Sequence, residues 1–131
     1  IIAVDGTVRK REGLTGHEFI EEIKKRYNVT IMADISTFEE GILCAEYGAD
    51  CISTTLSGYT NYTSHLKTDE PDYDLLIKLS STVKVPVFAE GRINTPQVAK
   101  RIMEKGAFAL VVGSAITRPT LITEWFVNAI K

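Results

Sequence analysis

Five short apolar runs end, in chain order, at Asp5, Asp34, Thr54 with Thr55, Glu90 and Gly113. Four of the five ends are acidic or hydroxylic, directly after residues that a core requires. If the runs are parallel strands, ligands bind beyond their carboxyl ends, and these groups converge on one rim. The plainer alternative is that any strand must end in a polar cap or turn former. For Asp5 and Asp34 taken singly, that alternative weighs as much as a site. In the triplet Glu90-Gly91-Arg92 a glycine allows a sharp turn, so a carboxylate and a guanidinium can face one pocket. The carboxylate could move protons and the arginine could clamp an anion. A surface ion pair at a turn is the alternative. Val112-Gly113-Ser114-Ala115-Ile116 has the form of a phosphate cradle, in which small residues let backbone N–H groups approach an anion. Arg118 follows five residues after Gly113 and is placed to add a full positive charge.

The run Thr54-Thr55-Leu56-Ser57-Gly58-Tyr59-Thr60 is rich in hydroxyls, which suit the donors and acceptors of a sugar. The polar stretch from Asn61 to Pro71 is long enough to form a mobile lid. Composition alone favours a solvated Ser/Thr loop there. His17 and His65 have no metal-ligand spacing around them, and Cys44 and Cys51 read as small core residues. Trp125 with Phe126 reads as core packing in a last helix, and Arg9-Lys10-Arg11 reads as a solvated loop.

The elements that must position these groups are legible. The strands expected are Ile1 to Asp5, Val29 to Asp34, Cys51 to Thr55, Val85 to Glu90 and Ala109 to Gly113. Most lack apolar/polar alternation, as parallel strands buried on both faces do. Helical spacing links Phe19, Ile20 and Ile23, then Phe38, Ile42 and Ala45, then Leu75, Leu76 and Leu79, then Val98, Ile102 and Met103. Thr95-Pro96 supplies an N-cap and a first-turn proline, and a last helix is expected from about Ile122 to Ile130. An internal echo reinforces the pattern. Met32-Ala33-Asp34 leads through a helix to Gly48-Ala49-Asp50 and a strand, as Phe88-Ala89-Glu90 leads to Gly106-Ala107-Phe108 and a strand. Repeated βα units build (β/α)8 barrels and also open doubly wound sheets.

The 131 residues are the length of one ordinary domain, with 44% hydrophobic and 24% charged side chains. Disorder and a membrane-spanning chain are both excluded by that composition. Fifteen basic against seventeen acidic residues leave a net charge of −2, against a nucleic-acid partner. Neither a signal peptide nor a long apolar run is evident, so the expected setting is the cytoplasm, with no membrane partner. The chain starts at Ile1 inside an apolar run, so a fragment is expected: residues 1–131 as a partial barrel domain whose N-terminal strands are missing. Five strands are too few for an eight-stranded barrel of about 250 residues.

MADIST at 32–37, GAD at 48–50, TTLSGYT at 54–60, AEGR at 89–92 and VVGSAITRP at 111–119 resemble one family, collinearly across essentially the whole chain. It is the N-acetylmannosamine-6-phosphate 2-epimerases, also called N-acylglucosamine-6-phosphate 2-epimerases. The resemblance implies α/β architecture as the C-terminal portion, about five βα units, of a TIM (β/α)8 barrel. It implies cofactor-free, metal-free interconversion of N-acetylmannosamine 6-phosphate and N-acetylglucosamine 6-phosphate, in amino-sugar and sialic acid catabolism. By the same resemblance Glu90 is the catalytic glutamate, Asp34, Thr55, Arg92 and Arg118 contact a phosphorylated amino sugar, and Gly91, Gly113 and Ser114 hold its phosphate. A homodimer of the intact protein is the expected assembly. The family's catalytic lysine lies at the end of an earlier strand. Lys10, Lys67 and Lys84 read here as loop, and Lys24, Lys25, Lys78, Lys100 and Lys105 as helix or its flanks. The polypeptide alone is therefore expected to be inactive. Two alternatives stay open: another phosphate-binding barrel enzyme, a synthase or lyase, and a non-catalytic phosphate-binding half barrel whose open sheet edges must be covered.

Overall fold

The computed structural model describes residues 1–66 and 68–131; the loop reading of Lys67 lies outside the described residues. Strands β1 (Ile2–Asp5), β2 (Ile31–Asp34), β3 (Cys51–Ser53), β4 (Val87–Glu90) and β5 (Ala109–Val111) alternate with helices. These are α1 (Gly16–Arg26), α2 (Phe38–Glu46), α3 (Tyr73–Thr82) and α4 (Pro96–Glu104), followed by a short α5 (Ser114–Thr117) and by α6 (Pro119–Ala129). A single 3-10 turn, Ser64–Leu66, lies in the loop between β3 and α3.

All five strands pair in parallel and in sequence order, β1-β2-β3-β4-β5. A doubly wound sheet would reverse direction at a switch point. With right-handed crossovers, unbroken order puts successive helices on the same face, which is barrel-type winding. Helix α2 accordingly packs against both α1 and α3. The core between sheet and helices is aliphatic, with Ile20, Ile31, Ile35, Ile52, Leu76, Leu79 and Ile102 fully buried. Each such side chain contributes about 1.5–3 kcal/mol relative to exposure. Cys44 and Cys51 are buried among them as expected, and burial pushes the Cys44 thiol up to about 12.

Helix starts follow from caps legible in the chain. The hydroxyl of Thr37 accepts from Glu40 N at 3.2 Å, and Thr95 accepts from Val98 N at 3.2 Å ahead of Pro96. At Gly16 a Cβ would meet the backbone carbonyl carbon of Gly6 at 2.4 Å, so only glycine lets α1 start against the loop after β1.

Several boundaries differ from the sequence reading. β3 stops at Ser53 rather than Thr55, and β5 at Val111 rather than Gly113, which instead caps α5. β2 and β4 start later than Val29 and Val85; ahead of β4, Pro86 cannot donate to a ladder. The last helix starts earlier, at Pro119. Trp125 and Phe126 are not core: α6 buries no residue, and Phe126 is 72% exposed. Among the described residues, no helix is long and apolar enough to cross a membrane.

Candidate active site

The rim at the carboxyl ends of the strands is organised around Glu90. Thr54, the first residue beyond β3, uses its hydroxyl as a substitute ladder, accepting from Glu90 N and donating to Glu90 O, each at 3.2 Å. That pins the end of β4. The carboxylate of Glu90 then meets Thr55, whose Oγ1 lies 3.1 Å from Glu90 Oε2, 2.8 Å from Asp34 Oδ1 and 2.8 Å from Ser53 Oγ. Asp34 and Glu90, two strands apart, are thus bridged by one hydroxyl. Burial raises the Asp34 carboxyl above its ordinary range; the hydrogen bond from Thr55 opposes this, and the charges of Glu90 and Asp5 add to it.

Gly91 and Arg92 both take left-handed backbone conformations, φ 101° and 59°. For Arg92 this conformation costs about 1–2 kcal/mol. The turn aims its guanidinium at the β3–α3 loop: Nε donates to Glu70 O at 2.8 Å and Nη1 to Ser57 O at 2.9 Å, with the ring of Tyr59 5.6 Å away. Arg92 lines the cleft, yet two of its donors hold the loop that covers one side of it.

The cleft has a volume of about 420 Å3, within the range of small-molecule sites. Thr55, Glu90, Gly91 and Arg92 line it together with Gly113, Ser114 and Trp125. Asp34 reaches this space through Thr55 and is not part of its lining. Arg118 stands exposed where α5 meets α6, outside the lining. Among the described residues, no lysine ends a strand, and no group of three His, Cys, Asp or Glu side chains is placed to hold a metal ion.

Most of the loop's hydroxyls turn inward rather than toward a ligand. Ser57, Thr60 and Thr63 are buried. Ser57 donates to Asp72 Oδ2 at 2.6 Å, and Thr63 Oγ1 accepts from Gly58 N and Thr60 N. A loop that wraps over a rim must satisfy its own backbone, and short hydroxylic side chains do so locally. Only Thr55 and Tyr59 of this run face the cleft.

At the end of β1, Arg9 and Arg11 are exposed, as a solvated loop would be, but both guanidiniums return to the Asp5 carboxylate. Burial alone would raise the Asp5 carboxyl; the hydroxyl and N–H of Thr7 and the two arginines outweigh it and bring it to about 2. Asp5 is a fixed anion of the rim.

Glu40 is a polar residue that the sequence reading missed. It is 2% exposed and accepts from the N–H groups of Ser36 (2.8 Å), Thr37 (3.0 Å) and Val8 (3.0 Å), and from the hydroxyls of Ser36 (2.7 Å) and Tyr62 (2.5 Å). The signal was available: Thr37-Phe38-Glu39-Glu40 is a capping-box sequence.

A family model described as "Putative N-acetylmannosamine-6-phosphate epimerase" matches residues 1–131. The chain is 53% identical over 133 residues to a curated relative from Caldanaerobacter subterraneus subsp. tengcongensis, described in the same terms as a 2-epimerase. That match covers 100% of this chain and 55% of the relative. It is also similar to the solved structure of the N-acetylmannosamine-6-phosphate 2-epimerase from Clostridium perfringens. There the TM-score is 0.87 and the identity 47%, over 98% of this chain and 55% of that one. The structure of FabK from Thermotoga maritima shares the fold alone, with a TM-score of 0.58 and 18% identity over 76% of this chain and 30% of that one. The chain thus spans a little over half the length of the curated relative and of the Clostridium perfringens structure that it matches.

Proposed function

Because the chain belongs to the N-acetylmannosamine-6-phosphate epimerase family along its whole length, we propose that the intact protein interconverts N-acetylmannosamine 6-phosphate and N-acetylglucosamine 6-phosphate. The carbon inverted bears the acetamido group, and its proton is acidic only beside a carbonyl. The sugar ring must therefore open, the proton leave, and a proton return on the opposite face. Nothing is oxidised or reduced and every atom is returned, so the reaction as proposed needs no cofactor.

The supporting observation is the Glu90 carboxylate, exposed to the cleft on one side and tied through Thr55 to Asp34 on the other. In this reading Glu90 transfers protons, and Asp34 and Thr55 set its position and field. Arg92 contacts the substrate from the loop side. Gly91, Gly113 and Ser114 hold the phosphate, and Arg118 neutralises it from the junction of α5 and α6. A lysine supplied by a strand outside this chain completes the acid–base set, so residues 1–131 alone are inactive. The five βα units are the C-terminal portion of an eight-unit barrel, whose remaining strands pair with the open edges of β1 and β5. A homodimer in the cytoplasm is the proposed working form.

The test is turnover of N-acetylmannosamine 6-phosphate by the full-length protein in deuterium oxide. The expected result is product labelled at the acetamido-bearing carbon, with Glu90→Gln slowing turnover about 10²–10⁴-fold. Turnover of other sugar phosphates but not this one, or an unimpaired Glu90→Gln variant, would overturn the reading.

A further inference from the structure

We propose that Glu40 and Tyr62 are positioning residues that hold three rim loops in register, so that Thr55 stands where Glu90 needs it; this rests on the function proposed for the same site. A capping box needs only one of the five hydrogen bonds that Glu40 accepts, the one from Thr37 N. The others come from three separate loops. Val8 follows Asp5 and Thr7 after β1, Ser36 follows Asp34 after β2, and Tyr62 belongs to the loop that starts with Thr54 and Thr55 after β3. Each loop carries one polar group of the rim. A single carboxylate therefore ties together the loops that follow Asp5, Asp34 and Thr55, whose strands the sheet already holds in register.

Burying that carboxylate is unfavourable in itself, and an apolar side chain of similar volume would often stabilise such a position as well or better. What an apolar residue cannot do is receive donors from three loops at once. Arg92 grips the β3–α3 loop at Ser57 O and Glu70 O, and Tyr62 lies between those two points. Tyr62 is 41% exposed, while its hydroxyl donates to Glu40. Its removal therefore unlatches the loop without opening the core.

The experiment uses the full-length protein and compares Tyr62→Phe with the parent, and Glu40→Gln as a second variant. Amide hydrogen exchange over residues 54–66 is measured without substrate, and kcat and KM are measured with N-acetylmannosamine 6-phosphate. For Tyr62→Phe the expected results are faster exchange in that segment and a fall in kcat of about tenfold, since misplaced groups cost up to about 10². KM should stay within about twofold of the parent, with an unchanged thermal midpoint. Glu40→Gln turns one acceptor oxygen into a donor, so faster exchange and a larger fall in kcat should come with a lowered thermal midpoint. Unchanged exchange in Tyr62→Phe overturns the latch. Faster exchange with unchanged kcat overturns its positioning role. A parent inactive on this sugar phosphate overturns the proposed function, while the exchange data still decide the latch.

Discussion

Asp34 and Glu90 meet at a single hydroxyl, that of Thr55, 2.8 Å from one carboxylate and 3.1 Å from the other. Thr55 has one proton to donate. Ser53 Oγ, 2.8 Å from Thr55 Oγ1 and 3.4 Å from Glu90 Oε2, brings a second donor to the same cluster. In the full-length protein, Thr55→Val should lower kcat about 10–100-fold, while Thr55→Ser should stay close to the parent. Steady-state kinetics checks this. A Val variant with the parent's kcat would show that the hydroxyl plays no part in placing Glu90.

Asp34 should be a residue whose loss stabilises the fold. Burial raises its carboxyl, Thr55 opposes, and the Glu90 and Asp5 charges add to the rise. A folded value above the unfolded one means that its contribution favours the fold at acid pH and is lost as pH rises through the folded value. Asp34→Asn keeps an oxygen for Thr55 and removes the buried charge. The expected gain at pH 7 is about 0.5–2 kcal/mol, the usual size for relief of a strained functional position, together with loss of turnover. Thermal unfolding at pH 4 and pH 7 tests the sign: the variant's advantage should grow with pH.

Asp5 titrates with the opposite sign. Its folded value of about 2 lies below the ordinary 3.8, so its stabilisation is complete above about pH 4 and disappears as pH falls toward 2. Asp5→Asn should destabilise at pH 7 by about 1–3 kcal/mol, the range for hydrogen bonds to a charged group. It should also flatten the acid limb between pH 4 and 2. Circular dichroism during acid titration of both proteins measures the difference. An unchanged limb would mean that Arg9 and Arg11 contribute nothing through Asp5.

How far the chain could be read in advance follows from what each element depends on. The strands were legible from continuous apolar runs such as Ile31 to Ala33, although burial alternates along them: Ile31 and Ala33 are fully buried, Met32 and Asp34 only partly. Their ends were less so, since beyond Ser53 the side chain of Thr54 joins its own backbone N–H in holding β4. Glu90, Thr55 and Gly113 reach one cleft because parallel order alone brings strand ends together. The direction of Arg92 depends on a left-handed φ and on a loop whose path is set by buried hydroxyls, neither of which periodicity encodes. Glu40 was missed because two of its donors, Val8 and Tyr62, lie 32 and 22 residues away. Trp125-Phe126 has the composition of core but sits on a helix that buries nothing.

Arg92 separates holding the loop from bearing charge. Lysine preserves the charge and the left-handed strain, but one ammonium cannot reproduce a planar fork that serves two carbonyls 13 residues apart, those of Ser57 and Glu70. Glycine removes both the fork and the strain, recovering about 1 kcal/mol of backbone energy. Both variants should speed amide exchange across residues 54–66 and lower kcat/KM of the full-length protein about tenfold, because both release the loop. Thermal midpoints should differ between them, with Arg92→Gly the more stable by the recovered backbone energy. If Arg92→Lys leaves exchange at the parent's rate, the guanidinium is not what holds the loop, and its place in the cleft wall must be explained by substrate contact alone.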